Sequence, residues 1–201
     1  MRARMAVWAS GTAVMVREVL LNDKPAELMA ISPKATVPVL VRSDGTVLEE
    51  SLDIMAWALQ QHDPLSWLEL EGFDSDWITE CDRDFKTWLD RYKYADRHPE
   101  HPPESYRKQA EAFVFKLERT LEDTQWLCGA RASVADVAIF PFIRQFAGVD
   151  PAWWQTAPYP RTRRWLDEWL NMELFSAIMK KYARWEPGQA DVSFPERTPI
   201  L

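Results

Sequence analysis

Residues Lys34–Ile54 read KATVPVLVRSDGTVLEESLDI, and this stretch decides the fold. Val37-Pro38 interrupts backbone pairing just before an apolar run, because proline has no N–H to donate. The Ser-Asp-Gly at 43–45 is a hairpin signal. The stretch therefore predicts a strand over Val39–Val41 and a returning strand over Thr46–Glu49.

Two features of this stretch suit a small peptide-like ligand. An X-Pro bond at a strand start is a candidate for the cis form. That form would turn the peptide groups of Val37 outward, so that an extended ligand pairs with them as an added strand. Ser51 has the position of a helix N-cap, and a helix N-terminus attracts a carboxylate through its free N–H groups and dipole. The adjacent carboxylate of Glu50 is suited to an ammonium group.

This combination resembles the glutathione-binding half of the glutathione S-transferase family. The segments NDKPAE at Asn22–Glu27, SPK at Ser32–Lys34 and VPVL at Val37–Leu40 look most like bacterial relatives of the omega-type branch. ASVADVA at Ala132–Ala138 is similar to the helix-start motif of the family's all-helical C-terminal domain. The matching segments run roughly from Arg2 to Trp185 in the family's order and spacing.

The resemblance implies a two-domain α+β fold, with a thioredoxin-like N-terminal α/β domain followed by an all-helical C-terminal domain. We place the glutathione-binding domain at residues 1–62, the helical domain at 70–185 and a tail at 186–201. The tail is rich in turn formers and is expected to pack loosely. Hydrophobic periodicity predicts further elements, namely helices Arg2–Ser10, Ala26–Ile31, Ser51–Gln61, Ser75–Arg97, Glu104–Glu122, Ser133–Phe146, Arg161–Asn171 and Leu174–Tyr182, and a strand over Val14–Leu20.

The start of the chain departs from the family pattern. The family's N-terminal domain opens with a strand and a turn that carries the catalytic Cys, Ser or Tyr, whereas this chain opens on the first helix, closed by Gly11. Either the chain starts at an internal methionine of a longer protein, or the protein lacks the first strand. The second explanation needs a repair, such as a strand supplied by a partner, because sheet edges are otherwise left unpaired. The catalytic residue is therefore unknown at this stage.

The resemblance also implies roles for individual residues. Val37, ahead of Pro38, pairs its backbone with the cysteinyl part of glutathione, and Glu50 and Ser51 hold the γ-glutamyl end. Lys24 lies where omega-like members place a lysine against the glycyl carboxylate, with Lys34 as the alternative cation. The helical domain would supply an apolar pocket for an electrophilic second substrate, and its candidate residues, most of them otherwise core, are Trp77, Phe85 and Trp88.

Three hypotheses for the function follow from this resemblance. The first is an enzyme that conjugates glutathione to a small electrophile or carries out glutathione-dependent thiol transfer. The second is a non-catalytic binding or regulatory protein of the same fold, and the third is an inactive truncation. The family is typically dimeric, and the sequence leaves open whether a homodimer forms.

Several other residues are candidates for catalytic or ligand-binding groups. Arg2 and Arg4 would lie near the glutathione sulfur, where a cation favours a thiolate, unless they are plain surface charges. Cys81 lies on an apolar helical stripe and Cys128 precedes a glycine, so both are expected to be structural thiols. His98 and His101 lie among three prolines with no further ligand nearby. We therefore expect a loop there and no metal site.

Composition narrows the class of protein. The chain has 201 residues, 47% of them hydrophobic, and a formal net charge of −7. This charge argues against a general binder of nucleic acid or of membrane surfaces. No apolar run approaches the ~20 residues needed to span a bilayer. The two distant cysteines indicate a reducing, cytoplasmic setting.

One motif is expected to stabilise the fold. Ser133 and Asp136 have the spacing of a capping box at the start of a very apolar helix. We therefore expect them to stabilise the helical domain and to take no part in chemistry.

Overall fold

The computed structural model describes residues 1–70 and 72–196. The chain forms two compact units. The first, which we call the α/β unit, comprises Met1–Leu65 together with residues 173–196. The second, the helical unit, is Ser66–Met172. The predicted domain bounds of 1–62, 70–185 and 186–201 stay a prediction.

The α/β unit contains short strands and helices in alternation. In chain order its described elements are α1 (Arg2–Ser10), β1 (Val14–Val16), α2 (Ala26–Ile31), β2 (Leu40–Val41), β3 (Val47–Leu48), α3 (Ser51–Gln61), α10 (Glu173–Ile178) and β4 (Val192–Phe194). The bounds of α1, α2 and α3 agree with those predicted from the sequence. Gly11 closes α1 in the left-handed region at φ 67, as expected of a glycine cap.

The strands are shorter than predicted and form two small antiparallel sheets. Leu40 lies opposite Leu48 in the β2–β3 hairpin, which the turn at 43–45 connects. β1 pairs with β4, and Val14 lies opposite Phe194. The tail at 186–201 was expected to pack loosely, but part of it is a strand paired with β1. Residues 197–201 of that tail lie outside the described residues.

Helices α1 and α3 pack against each other and form the core of the α/β unit. Their facing residues Met5, Ala6, Met55 and Ala58 are all fully buried. His62 Nδ1, just after α3, lies 3.1 Å from the backbone oxygen of Ser10, the last residue of α1. Because their carboxyl-terminal ends adjoin, the amino-terminal ends of both helices share one end of the unit, where Glu50 and Ser51 lie.

We predict that Phe194→Ala lowers the free energy of unfolding by about 3 kcal/mol, the low end of what truncation of a buried aromatic side chain costs. Phe194 is only 4% exposed and packs edge-on against Tyr182, with ring centroids 6.4 Å apart. Urea denaturation measures the change, and Val192→Ala on the same strand is the control because Val192 is 42% exposed. Equal effects of the two substitutions would show that Phe194 does not anchor β4.

The helical unit is built from six α-helices in its described part, with two irregular turns among them. The helices are α4 (Asp76–Glu80), α5 (Lys86–Lys93), α6 (Pro103–Asp123), α7 (Val134–Val149), α8 (Pro151–Thr156) and α9 (Pro160–Asn171). The single helix predicted over Ser75–Arg97 is interrupted by a π-helical turn at Cys81–Phe85 and ends in a 3₁₀ turn at Ala95–Arg97. Periodicity alone gave no signal for the π-helical turn.

Helix α7 is the centre of the helical unit, and its predicted capping box is present. Asp136 is fully buried. One carboxylate oxygen accepts hydrogen bonds from Leu127 N at 3.0 Å and Trp165 Nε1 at 2.8 Å. The other accepts from Ser133 N at 3.0 Å and Ser133 Oγ at 2.8 Å. The carboxylate thus links the start of α7 to the preceding loop and to α9.

Candidate functional site

The loop before β2 presents backbone that an extended ligand could pair with. The Val37-Pro38 peptide bond is cis. Val37 is 44% exposed. Across residues 1–70 and 72–196, no hydrogen bond engages its N–H or C=O. Both groups are thus available for strand-like pairing with a peptide.

The start of α3 places a carboxylate and a hydroxyl side by side. Glu50 is the N-cap residue and Ser51 is the first helical residue, so the prediction that Ser51 is the N-cap was wrong by one position. The Glu50 side chain makes no capping hydrogen bond and is 67% exposed. It is therefore open to a cation, while the unpaired N–H groups of the first turn favour an anion.

Lys34 and Glu50 are brought together by the fold. Lys34 Nζ lies 3.4 Å from Glu50 Oε1, and both side chains are more than half exposed. The neighbouring Glu49 turns away, since its Oε1 accepts a 2.5 Å hydrogen bond from the buried Ser32. The site thus offers one exposed cation and one exposed carboxylate side by side, 16 residues apart in the chain.

Lys24 lies apart from that pair in the described contacts. It follows the tight turn in which Asp23 N donates to Leu20 O at 3.1 Å, and it precedes Pro25, the N-cap residue of α2. In the part of the chain that the structure describes, Lys24 has no ion pair and no hydrogen bond to Val37, Glu50 or Ser51.

The candidate catalytic groups differ in their surroundings. Arg2, the first residue of α1, is 4% exposed, so a plain surface charge does not describe it. Arg4 pairs with Glu18 at 2.6 Å. Cys81 is fully buried, and Cys128 Sγ lies 3.3 Å from Ser133 Oγ. Both cysteines belong to the helical unit.

The proposed second-substrate residues do not share one environment. Phe85 is 1% exposed and stacks on Phe113 with ring centroids 4.8 Å apart, so it belongs to the core of the helical unit. Trp77 is partly exposed, and Lys116 Nζ lies 4.4 Å from the centroid of its ring. Trp88 is also partly exposed, under the guanidinium of Arg91 at 5.3 Å.

The remaining candidates are a metal site and a membrane-spanning helix. Among the residues described, no group of three His, Cys, Asp or Glu side chains is arranged to hold a metal ion. His98 and His101 both lie edge-on to the ring of Tyr106. No helix within the described ranges is long and apolar enough to cross a membrane.

The sequence did not predict that the chain after Ile178 contacts the turn before Lys24. Arg184 NH2 lies 2.6 Å from Asp23 Oδ2, next to Lys24. No local pattern signals this pair, because the two residues are 161 positions apart.

Comparison with known proteins follows the same division of the chain. Residues 1–66 match the family described as glutathione S-transferase, N-terminal domain, and residues 76–168 match glutathione S-transferase, C-terminal domain. The curated glutathione S-transferase GstA of Escherichia coli O157:H7 is 28% identical over 133 residues. That alignment covers 59% of this chain and 61% of GstA, less than two thirds of the relative's length.

Solved structures with the same fold extend over most of the chain. BphK, a bacterial GST solved as a ternary complex, aligns with a TM-score of 0.69 at 18% identity, covering 88% of this chain and 91% of its own. The glutathione transferase URE2P6 from Phanerochaete chrysosporium, in complex with oxidized glutathione, aligns with a TM-score of 0.70 at 16% identity. The alignment covers 88% of each chain. A glutathione transferase from Burkholderia graminis, with two glutathione molecules bound per subunit, aligns with a TM-score of 0.68 at 17% identity. This alignment covers 88% of this chain and 82% of the Burkholderia graminis chain. The predicted fold class, a thioredoxin-like α/β domain with an all-helical domain, is confirmed.

Proposed function

The chain belongs to the glutathione S-transferase family, and from this premise we propose that it binds glutathione in the α/β unit and transfers it to a small electrophile. The observation that carries the proposal is the exposed Glu50 carboxylate at the start of α3, 3.4 Å from the Lys34 ammonium, in the unit whose Val37 backbone is open. Glutathione is a peptide with an ammonium group and two carboxylates, so its charges and backbone complement this arrangement.

Each part of glutathione has a partner in this proposal. The γ-glutamyl ammonium binds the carboxylate of Glu50, and its α-carboxylate binds the hydroxyl of Ser51 and the free N–H groups of the first turn of α3. The cysteinyl backbone pairs with Val37 as an added strand. The glycyl carboxylate binds Lys24, whose ammonium has no ion pair in the part of the chain that the structure describes.

The reaction proposed is attack of the glutathione sulfur on an electrophilic carbon, with loss of the thiol proton and of the leaving group. The amino-terminal end of α1 lies at the same end of the unit as Ser51, and its positive dipole together with Arg2 would favour the thiolate. Holding both reactants together supplies further acceleration. Trp77 and Trp88 are the partly exposed candidates for contact with the electrophile, and Phe85 would support them from the core.

Neither Cys81 nor Cys128 is suited to thiol transfer. Thiol transfer through a protein cysteine needs a reactive, accessible thiolate near the bound sulfur. Cys81 is buried, Cys128 packs against Ser133, and both lie in the helical unit. The second candidate function is glutathione binding without catalysis, which the exposed Glu50 carboxylate and the open Val37 backbone support equally.

We expect the full chain to accelerate conjugation of glutathione to a nitroaryl halide, with little turnover of a glutathione mixed disulfide. Conjugation is followed by product absorbance, and disulfide reduction by a coupled reductase assay. Disulfide turnover without conjugation would contradict the proposed reaction. Glutathione binding without either activity would support the non-catalytic alternative. A cytoplasmic location and a homodimer stay predictions.

A further inference from the structure

The segment Lys180–Glu196, which we call the C-terminal strap, runs back along β1 and the turn that follows it. β4, within the strap, pairs with β1. Trp185 N donates a 2.8 Å hydrogen bond to Glu18 O, and Arg184 bridges to the same residue. The strap lies outside both matched family ranges, 1–66 and 76–168.

Side chains hold the strap at several points along its length. Arg17 places its guanidinium 4.7 Å from the ring centroid of Trp185 and lies 3.4 Å from Asp191. Phe194 is buried near the far end of the strap. These contacts fix the strap after Arg184, and Arg184 itself lies beside Asp23, with a 2.6 Å contact.

This contact bears on Lys24, the residue that follows Asp23. A carboxylate next to a lysine competes with any incoming carboxylate for the ammonium group, since opposite charges attract at short range. Arg184 occupies the Asp23 carboxylate. Lys24 itself has no ion pair among the residues described, so its ammonium is left for a ligand.

We infer that the C-terminal strap completes the glutathione site, with Arg184 acting as a positioning residue that neutralises Asp23 and thereby leaves Lys24 for the glycyl carboxylate. This inference rests on the proposed function, because it assigns the partner of one end of glutathione. Its new content is the effect of Arg184, which should alter the binding of ligands with a free glycyl carboxylate and leave the binding of those without one unchanged.

The test compares glutathione with its glycyl ethyl ester, which lacks that carboxylate, by calorimetric titration of the full chain. We expect the unsubstituted protein to bind glutathione about tenfold more tightly than the ester, as a charge-assisted contact provides. In Arg184→Ala, freed Asp23 competes for Lys24, so glutathione binding weakens about fivefold while ester binding is unchanged. Loss of fold would weaken both ligands alike.

A second substitution distinguishes competition from damage to the strap. Asp23→Asn combined with Arg184→Ala removes the competing carboxylate and should restore the preference for glutathione over the ester. Arg83→Ala is the matched control, because Arg83 forms an exposed 2.6 Å pair with Asp84 in the helical unit.

Three results would overturn the inference. The first is an unchanged preference in Arg184→Ala, and the second is a double variant as weak as Arg184→Ala. Either one leaves the proposed function intact. The third is a folded, unsubstituted chain that binds neither ligand, which would overturn the proposed function and the inference together.

Discussion

Replacing Asp136 with asparagine is expected to lower the free energy of unfolding of the helical unit by about 3 kcal/mol. The carboxylate is fully buried and each of its oxygens accepts two hydrogen bonds, from Leu127 and Trp165 on one side and from Ser133 on the other. Burial raises the pKa of Asp136, and these donors, which favour the carboxylate, oppose that rise.

Asparagine has nearly the same shape but presents an NH2 group where one carboxylate oxygen was. Whichever oxygen it replaces, that group would face at least one buried N–H donor that it cannot pair with, so at least one buried hydrogen bond is lost without a change in packing volume. Urea denaturation followed by tryptophan fluorescence measures the effect, since Trp165 and Trp169 are buried in this unit.

Asp167→Asn is the matched control, because Asp167 is exposed on α9. Its effect on stability should be within about 0.5 kcal/mol. Equal stabilities for Asp136→Asn and the unsubstituted chain would show that the carboxylate does not hold the start of α7 in place.

Replacing Glu50 with glutamine is expected to weaken glutathione binding about thirtyfold, because the amide cannot form a charge-assisted contact with the γ-glutamyl ammonium. The fold should be unaffected, since the only ion pair of Glu50 in the described part of the chain is the one with Lys34, and both side chains are more than half exposed. Calorimetric titration gives the affinity, and the circular dichroism spectrum checks the fold.

Glu104→Gln provides the comparison for the Glu50 variant, because Glu104 is exposed on α6 in the helical unit. It should bind glutathione like the unsubstituted chain. A loss of less than threefold in Glu50→Gln would remove Glu50 from the proposed contacts and weaken the case built on the start of α3.

Local signals in the sequence predicted most of the local structure. The glycine cap of α1, the hairpin turn at 43–45 and the capping box at Ser133 each depend on residues within a few positions of one another. The cis bond before Pro38 was likewise marked by an X-Pro pair at a strand start. Each of these features is determined by residues within a few positions of it, so it can be predicted from the local sequence.

Pairings between distant segments were not predicted, because they depend on residues that are far apart in the sequence. β4 pairs with β1 across almost the whole chain, and the composition of the segment around it, rich in turn formers, indicated only a loose tail. The π-helical turn at Cys81–Phe85 depends on packing and not on periodicity. In the candidate site, Glu50 and Ser51 were predicted from neighbouring residues, and their role stays a prediction. The contact between Arg184 and Asp23 joins residues 161 positions apart, so no local pattern signals it.

The central claim is that the α/β unit of this chain binds glutathione, and calorimetric titration of the purified chain with glutathione tests it most directly. We expect one molecule to bind per chain, with a dissociation constant in the micromolar to low millimolar range that corresponds to about 4–8 kcal/mol. A folded chain that shows no binding heat and no competition at millimolar glutathione would contradict the account.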